Sequence, residues 1–227
     1  SIMLLAQTVF AAPTLQVYIQ GATAGDMGGD DDTWFFTGDG PIDLLLTGAF
    51  GPNTDSIQNA VLVASVPQGQ TGTLSVAGAT LLTTSNTAVV SNADLDILTN
   101  VGGIDGYSTR DFLPVFFNNH FPFQDNVSDF LAFDVGSFAN LGPISDYDAT
   151  TGNIAANSGF GETKTFSVSA SGFDWVHFDL YAFVSNSPGV SRWEINPGSH
   201  DATFIPENGN GNGVIPAPGA LILASIG

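Results

Sequence analysis

Acidic side chains are densest in one glycine-rich segment near the start of the chain. Four carboxylates fall within seven residues there, at Asp26, Asp30, Asp31 and Asp32. Carboxylate oxygens on a flexible loop can surround a hard divalent cation such as Ca²⁺, although the spacing lacks the distal Glu of an EF-hand. The segment is therefore a candidate Ca²⁺ site, and a solvated acidic loop between strands is the other interpretation. Secondary candidates are the pairs Asp146 with Asp148 and Asp94 with Asp96.

Histidine and aspartate occur together at two places, and this combination can bind a metal or serve as a general base. His177 and Asp179 share one face of a predicted strand, whereas His200 and Asp201 are neighbours in a predicted turn. The chain has only 3 histidines, no cysteine and no G-x-S-x-G nucleophile motif. No two of the aspartates stand out as a glycosidase pair. We therefore expect hydrogen-bonded structural pairs and no enzyme activity.

Three tryptophans at strand positions suggest a second kind of site. Trp34, Trp175 and Trp193 could form a platform on which sugar rings stack. Aromatic residues in strands more often belong to the core, so a buried position is the competing interpretation.

Composition limits the classes of function. The chain has 22 acidic residues against 3 basic ones, which gives a formal net charge of -19. Binding to nucleic acid needs basic side chains that replace phosphate counterions, so that class is excluded, as is charge-driven binding to an anionic membrane. The absence of cysteine excludes disulfides and thiolate metal sites. A low share of charged residues, 11%, together with 27 Gly and 18 Phe is typical of an extracellular β-protein.

Alternation of apolar and polar residues dominates the chain and predicts strands. The clearest case is 175–184, where Val176, Phe178 and Leu180 face one way and His177 and Asp179 the other. The remaining predicted strands are 14–20, 33–37, 42–47, 60–66, 72–76, 165–170 and 192–195. Turns rich in Gly, Pro and Asn separate them. The prediction is an all-β fold, an antiparallel β-sandwich or jelly roll.

The middle of the chain is less regular. Residues 102–161 are rich in Phe and Asp and predict an irregular insertion that packs its own aromatic side chains. A helix is predicted at 91–98 and a helical turn near 126–130. The predicted organisation is an apolar segment at 1–13, one β-sandwich domain at 14–206, and a spacer with an apolar segment at 207–227.

Both end segments carry targeting features. Residues 2–12 resemble the apolar part of a signal peptide with a small-residue cleavage site near Ala11 or Ala12. At the other end, the flexible spacer 209–213 precedes Pro216-Ala217-Pro218 and the apolar run 220–226. The whole tail 215–227 is only about a dozen residues long, shorter than the ~20 apolar residues that span a bilayer. Membrane contact is therefore expected only through an apolar end segment, if it is uncleaved.

The order of spacer, Pro-x-Pro and apolar run resembles the tail of bacterial PEP-CTERM proteins, which are sorted by exosortases. Ala217 stands where that family usually has Glu. Residues 14–21, 172–181 and 197–202 are similar to strands of the choice-of-anchor proteins of the same sorting class, the N group in particular. The resemblance implies a secreted β-domain at the bacterial cell surface, and it carries no catalytic residues.

The expected function is that of an extracellular structural protein that self-assembles. An apolar end segment, 1–12 or 214–227, would add as a strand to the sheet edge of a neighbouring copy and build a filament or matrix. The residues expected in that inter-subunit strand are Ile2, Leu4, Val9, Leu221 and Leu223. The alternative is a monomeric, anchored module that binds exopolysaccharide with the help of Ca²⁺.

Overall fold

A computed structural model describes residues 12–27, 32–82, 122 and 128–207 of the chain. These residues form thirteen strands in two sheets and one short 3₁₀ turn at Gly198–His200. The protein is therefore an all-β, sandwich-like fold, as the alternating sequence pattern predicts. No helix within these ranges is long and apolar enough to cross a membrane.

The first sheet has five antiparallel strands. In chain order these are β1 (Leu15–Ile19), β4 (Ile42–Ala49), β6 (Thr73–Ala77), β9 (Gly142–Asp148) and β10 (Asn153–Ser171). Their spatial order is β1-β4-β10-β6, and β9 pairs with the first half of β10. Strand β10 is 19 residues long and thus extends well past the end of β4.

The second sheet has eight strands. They are β2 (Thr23–Asp26), β3 (Asp32–Gly38), β5 (Thr54–Pro67), β7 (Thr80–Leu81), β8 (Ser128–Phe138), β11 (Val176–Asn186), β12 (Val190–Ile195) and β13 (Ala202–Pro206). The order is β2-β3-β13-β11-β5-β8-β7, with β12 beside β11. Only β3 and β13 pair in parallel. Strand β11 lies at the centre, with β5 along one edge and β12 and β13 sharing the other.

The main core lies between the two sheets. Strand β11 contributes Val176, Phe178, Leu180, Ala182 and Val184, which is the predicted apolar face. Its opposite face is buried as well, because Tyr181 and Phe183 pack with Val61, Phe130 and Trp193 in a second apolar cluster. Strand β11 is thus enclosed on both sides, which the sequence pattern alone did not predict.

Side-chain contacts hold β9 at one end of the sandwich. The Gln16 side chain donates from Nε2 to the Ser145 carbonyl at 3.3 Å and accepts at Oε1 from the Tyr147 main-chain amide at 2.9 Å. A β1 side chain thus makes the bonds to β9 that a neighbouring strand's main chain would otherwise make. Glycine is required where β4 meets β10, because a side chain at Gly161 would collide with the carbonyl of Gly48. The base of the β9–β10 hairpin is therefore tightly fixed.

Two expectations about the middle of the chain are wrong. The helical turn expected near 126–130 is absent, because Ser128–Phe130 begins strand β8 and pairs with β5. The irregular insertion expected at 102–161 is, from residue 128 onward, strands β8, β9 and the start of β10. Bulges and exposed polar residues obscured the alternation there. The helix expected at 91–98 lies outside the described residues.

Truncation of a β11 core side chain tests this layer arrangement. Phe178 is fully buried between the sheets, so Phe178→Ala should lower the free energy of unfolding by about 3–5 kcal/mol. Phe160→Ala is the matched control, because Phe160 is 61% exposed and its loss should change stability by at most ~0.5 kcal/mol. Urea denaturation followed by tryptophan fluorescence measures both, and equal effects would contradict the assignment.

Candidate functional site

The chemically most versatile side chains meet on the outer face of the second sheet. His177 and Asp179 come from the centre of β11, and Asp201 comes from the residue just before β13. The His177 Nε2 atom lies 3.4 Å from Asp179 Oδ2 and 3.6 Å from Asp201 Oδ2. All three residues are fully buried. We call this set the His-Asp-Asp cluster.

The other ring nitrogen of His177 is held by a hydroxyl. His177 Nδ1 and Thr203 Oγ1 are 2.8 Å apart across the β11–β13 pair. The Thr203 hydroxyl itself donates to Met27 Sδ at 3.1 Å. The hydroxyl has a single proton, so when it donates to Met27 Sδ it accepts from the ring, and His177 then carries its proton on Nδ1. The Nε2 side therefore faces the two carboxylates.

Asn196 positions Asp179 from the end of β12. Its side-chain oxygen accepts from the Leu180 amide at 2.6 Å, and its Nδ2 donates to Asp179 Oδ1 at 3.3 Å. The main-chain amide of Asn196 also donates to the Leu180 carbonyl at 3.0 Å. These contacts continue the β11–β12 pairing through a side chain and leave Oδ2 of Asp179 directed to His177.

The second histidine forms a separate site that joins the two sheets. His200 Nε2 lies 2.9 Å from Asp146 Oδ1 on β9, and His200 Nδ1 lies 2.8 Å from Ser199 Oγ. Both His200 and Asp146 are mostly buried. Ser199 and His200 are adjacent in one 3₁₀ turn, so their contact is a local one. Nearby, the Ala149 amide donates to the Ser199 carbonyl at 2.9 Å, which makes this site a tie between layers.

A serine, a histidine and an aspartate in one hydrogen-bonded row invite comparison with a hydrolase triad. A nucleophile also needs a groove for substrate and donors for the developing oxyanion. Two surface grooves of the described residues lie beside Phe50 and Thr54, and neither is lined by Ser199 or His200. The contacts that the structure shows at His200 and Ser199 tie β9 and the β9–β10 turn to the 3₁₀ turn.

The predicted Ca²⁺ segment is the tip of the β2–β3 hairpin. Asp26 and Asp32 are directly opposite each other in its register, and Asp26 is exposed. Asp30 and Asp31 lie outside the described residues. Like charges opposite one another destabilise a strand pair unless a cation screens them. Ca²⁺ binding at this tip stays a prediction.

The predicted sugar platform lies in the interior. Trp34 and Trp175 are 3% exposed and Trp193 is 7% exposed. Trp34 donates from Nε1 to the Tyr147 carbonyl at 3.1 Å, and Trp193 packs edge-on against Tyr181 and Phe183. Because other side chains already cover these rings, a sugar could stack on them only if the core opened.

The remaining predicted residues divide into two groups. Asp148 caps the β9–β10 turn by accepting from the Thr150 amide and the Thr151 hydroxyl, so its partner is not Asp146. Other predicted residues lie outside the described ranges, namely Asp94, Asp96, Ile2, Leu4, Val9, Leu221 and Leu223. The inter-subunit strand therefore stays a prediction.

The sequence places His177 with Asp179 but does not reveal the third member of the cluster or the residues that support it. The pattern predicts Asp201 in a turn beside His200, whereas its side chain lies next to His177. Nothing in the sequence singles out the supporting residues Met27 and Asn196. The signal that could have found them is weak. A polar residue two positions before or after another marks a shared strand face, but which faces meet depends on pairing between distant strands.

Comparison of the chain with protein-family models, with curated proteins and with solved structures gives no match. The resemblance to exosortase-sorted surface proteins stays a prediction, and the function has to be argued from the geometry.

Tyr181, in the second apolar cluster, should make the free energy of unfolding depend on pH above pH 10. Complete burial raises the pKa of Tyr181 far above 10, and burial also raises that of Tyr147. Below pH 10 both states keep the Tyr181 proton. Above pH 10 the unfolded state loses it while the folded state retains it, so the free energy of unfolding should fall by about 1.4 kcal/mol per pH unit for this group.

Tyr181→Phe should remove this contribution and flatten the decline, with the smaller Tyr147 contribution remaining. Urea denaturation at pH 9, 10 and 11 measures the slope in both proteins. Parallel declines in the wild type and the variant would contradict the assignment.

Proposed function

We propose that this chain is a secreted bacterial cell-surface structural protein whose copies assemble end to end through strand addition. The observation that carries the proposal is the hairpin of β9 and the first half of β10, here called the arm (142–160). Pro143 and Phe160 pair within it, and it projects past the end of β4. Residues 153–157 of the arm are all exposed.

One edge of the arm is open to a further strand. Gly161 pairs with Ala49 of β4 and with Gly142 of β9, so these strands lie on opposite sides of β10. Beyond that point, residues 153–155 and Gly159 pair with β9 on one side of β10, around a bulge at 156–158. On the β4 side, residues 153–159 pair with no strand of the described chain. An unpaired row of main-chain amides and carbonyls is a template for strand addition.

Apolar side chains accompany this edge. Leu141 is 74% exposed, Phe160 61% and Ile154 50%, and all three belong to the arm or its base. Beside them Phe50 and Pro52 line a groove of about 560 Å³ that also contacts Ala12. Apolar surface concentrated at one end of a monomer is typical of an interaction site.

The other end of the domain supplies the donor in this proposal. The described chain ends at Glu207, whose amide donates to the Gly38 carbonyl at 3.1 Å, next to the end of β10 that pairs with Ile42. Phe160 and Val168 are eight residues apart on β10, about 26 Å at ~3.3 Å per residue. The described chain therefore ends, at Glu207, at the end of the domain remote from the arm.

Opposed positions of donor and acceptor favour a chain of copies over a closed dimer. At ~3.3 Å per residue, an extended segment after Glu207 places Leu221 at most ~46 Å and Leu223 at most ~53 Å from the domain, where they could contact a neighbour's arm. Because the contact is heterologous, repetition yields a filament unless the rotation closes a ring. The Pro216-Ala217-Pro218 pattern and the acidic composition support the extracellular location.

Calcium has a defined part in this proposal. A net charge of -19 opposes the approach of copies, and a divalent cation at the β2–β3 tip would reduce that repulsion. The polysaccharide-binding alternative loses its main support, because the three tryptophans that suggested it are buried.

Removal of donor or acceptor should abolish assembly. We expect filaments of the chain in negative-stain electron microscopy, and monomers for a chain without residues 208–227 and for Phe160→Asp, which places a charge on the arm. Calcium chelation should shorten the filaments. Thr165→Asp is the matched control, because Thr165 is exposed on β10 where it pairs with Leu45 of β4, outside the arm, and it should assemble normally.

Cross-linking locates the contact. The chain has no cysteine, so a Leu221→Cys chain mixed with an Ile154→Cys chain should form a disulfide-linked heterodimer under oxidation. A monomeric wild-type chain, or equal loss of filaments in Thr165→Asp, would refute assembly through the arm.

A further inference from the structure

The His-Asp-Asp cluster has the donor set and the spacing of a metal site. One imidazole nitrogen and two carboxylate oxygens, from His177, Asp179 and Asp201, lie within 4.8 Å of one another and are fully buried. Imidazole nitrogen with carboxylate oxygen suits Zn²⁺ and related transition metals better than Ca²⁺, which takes oxygen ligands.

The distances fit ligands around a common ion better than direct hydrogen bonds. A charge-assisted N–H···O bond is about 2.8 Å long, whereas His177 Nε2 lies 3.4 and 3.6 Å from the two aspartate oxygens. Two ligands at ~2.1 Å from a tetrahedral ion are separated by about 3.4 Å. Both observed separations are close to that value.

The surroundings orient the cluster as a metal site requires. His177 donates from Nδ1 to Thr203, which directs the Nε2 lone pair to the carboxylates. Metal-ligating histidines are commonly fixed in this way by a hydrogen bond from the other nitrogen. Asn196 in turn holds Oδ1 of Asp179, while Oδ2 lies on the side of His177.

Two buried hydroxyls on the same sheet face are an independent sign of a missing polar ligand. Ser65 is directly opposite His177 in the β5–β11 register, and Thr33 precedes Trp34, whose amide donates to the Asp201 carbonyl. Both residues are 0% exposed, and Ser65 Oγ and Thr33 Oγ1 have no hydrogen-bond partner within the described chain. Buried hydroxyls without a partner are costly and need an explanation.

We propose that His177 Nε2, Asp179 Oδ2 and Asp201 Oδ2 bind one divalent transition-metal ion, with Zn²⁺ as the best fit. A water held on this face completes the coordination, and the Ser65 hydroxyl can bond to it. Two carboxylates, a neutral imidazole and a divalent ion sum to zero charge, which suits full burial. Because the site is closed to solvent, the ion binds as the chain folds and serves stability.

Zinc content and thermal stability test this site. The chain is refolded with Zn²⁺, desalted and analysed by mass spectrometry for metal, and about one ion per chain is expected. Refolding with EDTA should lower the melting temperature by at least about 5 °C. X-ray absorption at the zinc edge should show nitrogen and oxygen ligands at ~2.0–2.1 Å with imidazole scattering.

Conservative variants assign the ligands. His177→Gln and Asp201→Asn should each reduce bound zinc at least tenfold and remove the effect of EDTA. His200→Gln is the matched control, because His200 is also buried and paired with a carboxylate but lies outside the cluster, and it should keep its zinc.

Other outcomes overturn the proposal. A wild-type chain that takes up no zinc, and whose melting temperature changes with neither zinc nor EDTA, would refute the site. Zinc retained in both ligand variants would place the ion elsewhere, for example at the acidic β2–β3 tip. If the variants fail to fold, absence of imidazole scattering in the wild type also overturns the proposal.

Discussion

Enclosure of strand β11 on both faces is the constraint on which the rest of the structure depends. One face supplies Phe178 and Leu180 to the core between the sheets, and the other carries Tyr181 with the polar residues His177 and Asp179. A polar group removed from water must be compensated within the protein. The contacts of Thr203, Asn196 and Asp201 supply that compensation, so the ends of β12 and β13 are bound to β11 by side chains as well as by main-chain pairing.

A bound metal ion would complete the compensation of these buried polar groups, and the stability of the fold would then depend on the ion. Without cysteine the chain has no disulfide, and a buried ion offers the same kind of long-range tie between β11 and the start of β13. The arm differs from the buried face of β11 because its side chains and its main-chain edge are exposed. Its apolar side chains and open main-chain edge lie in water, where they have no compensation within the described part of one copy. A stable, sealed domain that ends in an uncompensated edge is well suited to a subunit of an assembly.

Much of the strand layout follows from the sequence, whereas the candidate sites do not. The alternation at 175–184 identified the core face of β11 correctly, because side-chain direction in a strand is a local property with a period of two residues. The same pattern was hidden at 128–161. There Gly136 has a positive φ and β10 is bulged between Ala155 and Gly159, and each irregularity shifts the phase of the alternation. Trp34 and Trp193 could not be assigned to core or surface from their positions alone.

By itself, the sequence determined the all-β class, the positions of eight strands without the first halves of β5 and β10, and a strongly acidic charge balance. These properties are local or additive along the chain. Only the tertiary structure decided that both faces of β11 are covered. It also decided that Asp201 contacts His177, whereas the adjacent His200 contacts Asp146. It alone placed the arm and the exit of residue 207 at opposite ends of β10. The reason is physical: these relations are set by pairing between strands that are far apart along the chain, from 24 residues for His177 and Asp201 to more than a hundred for β4 and β10, which no local pattern encodes.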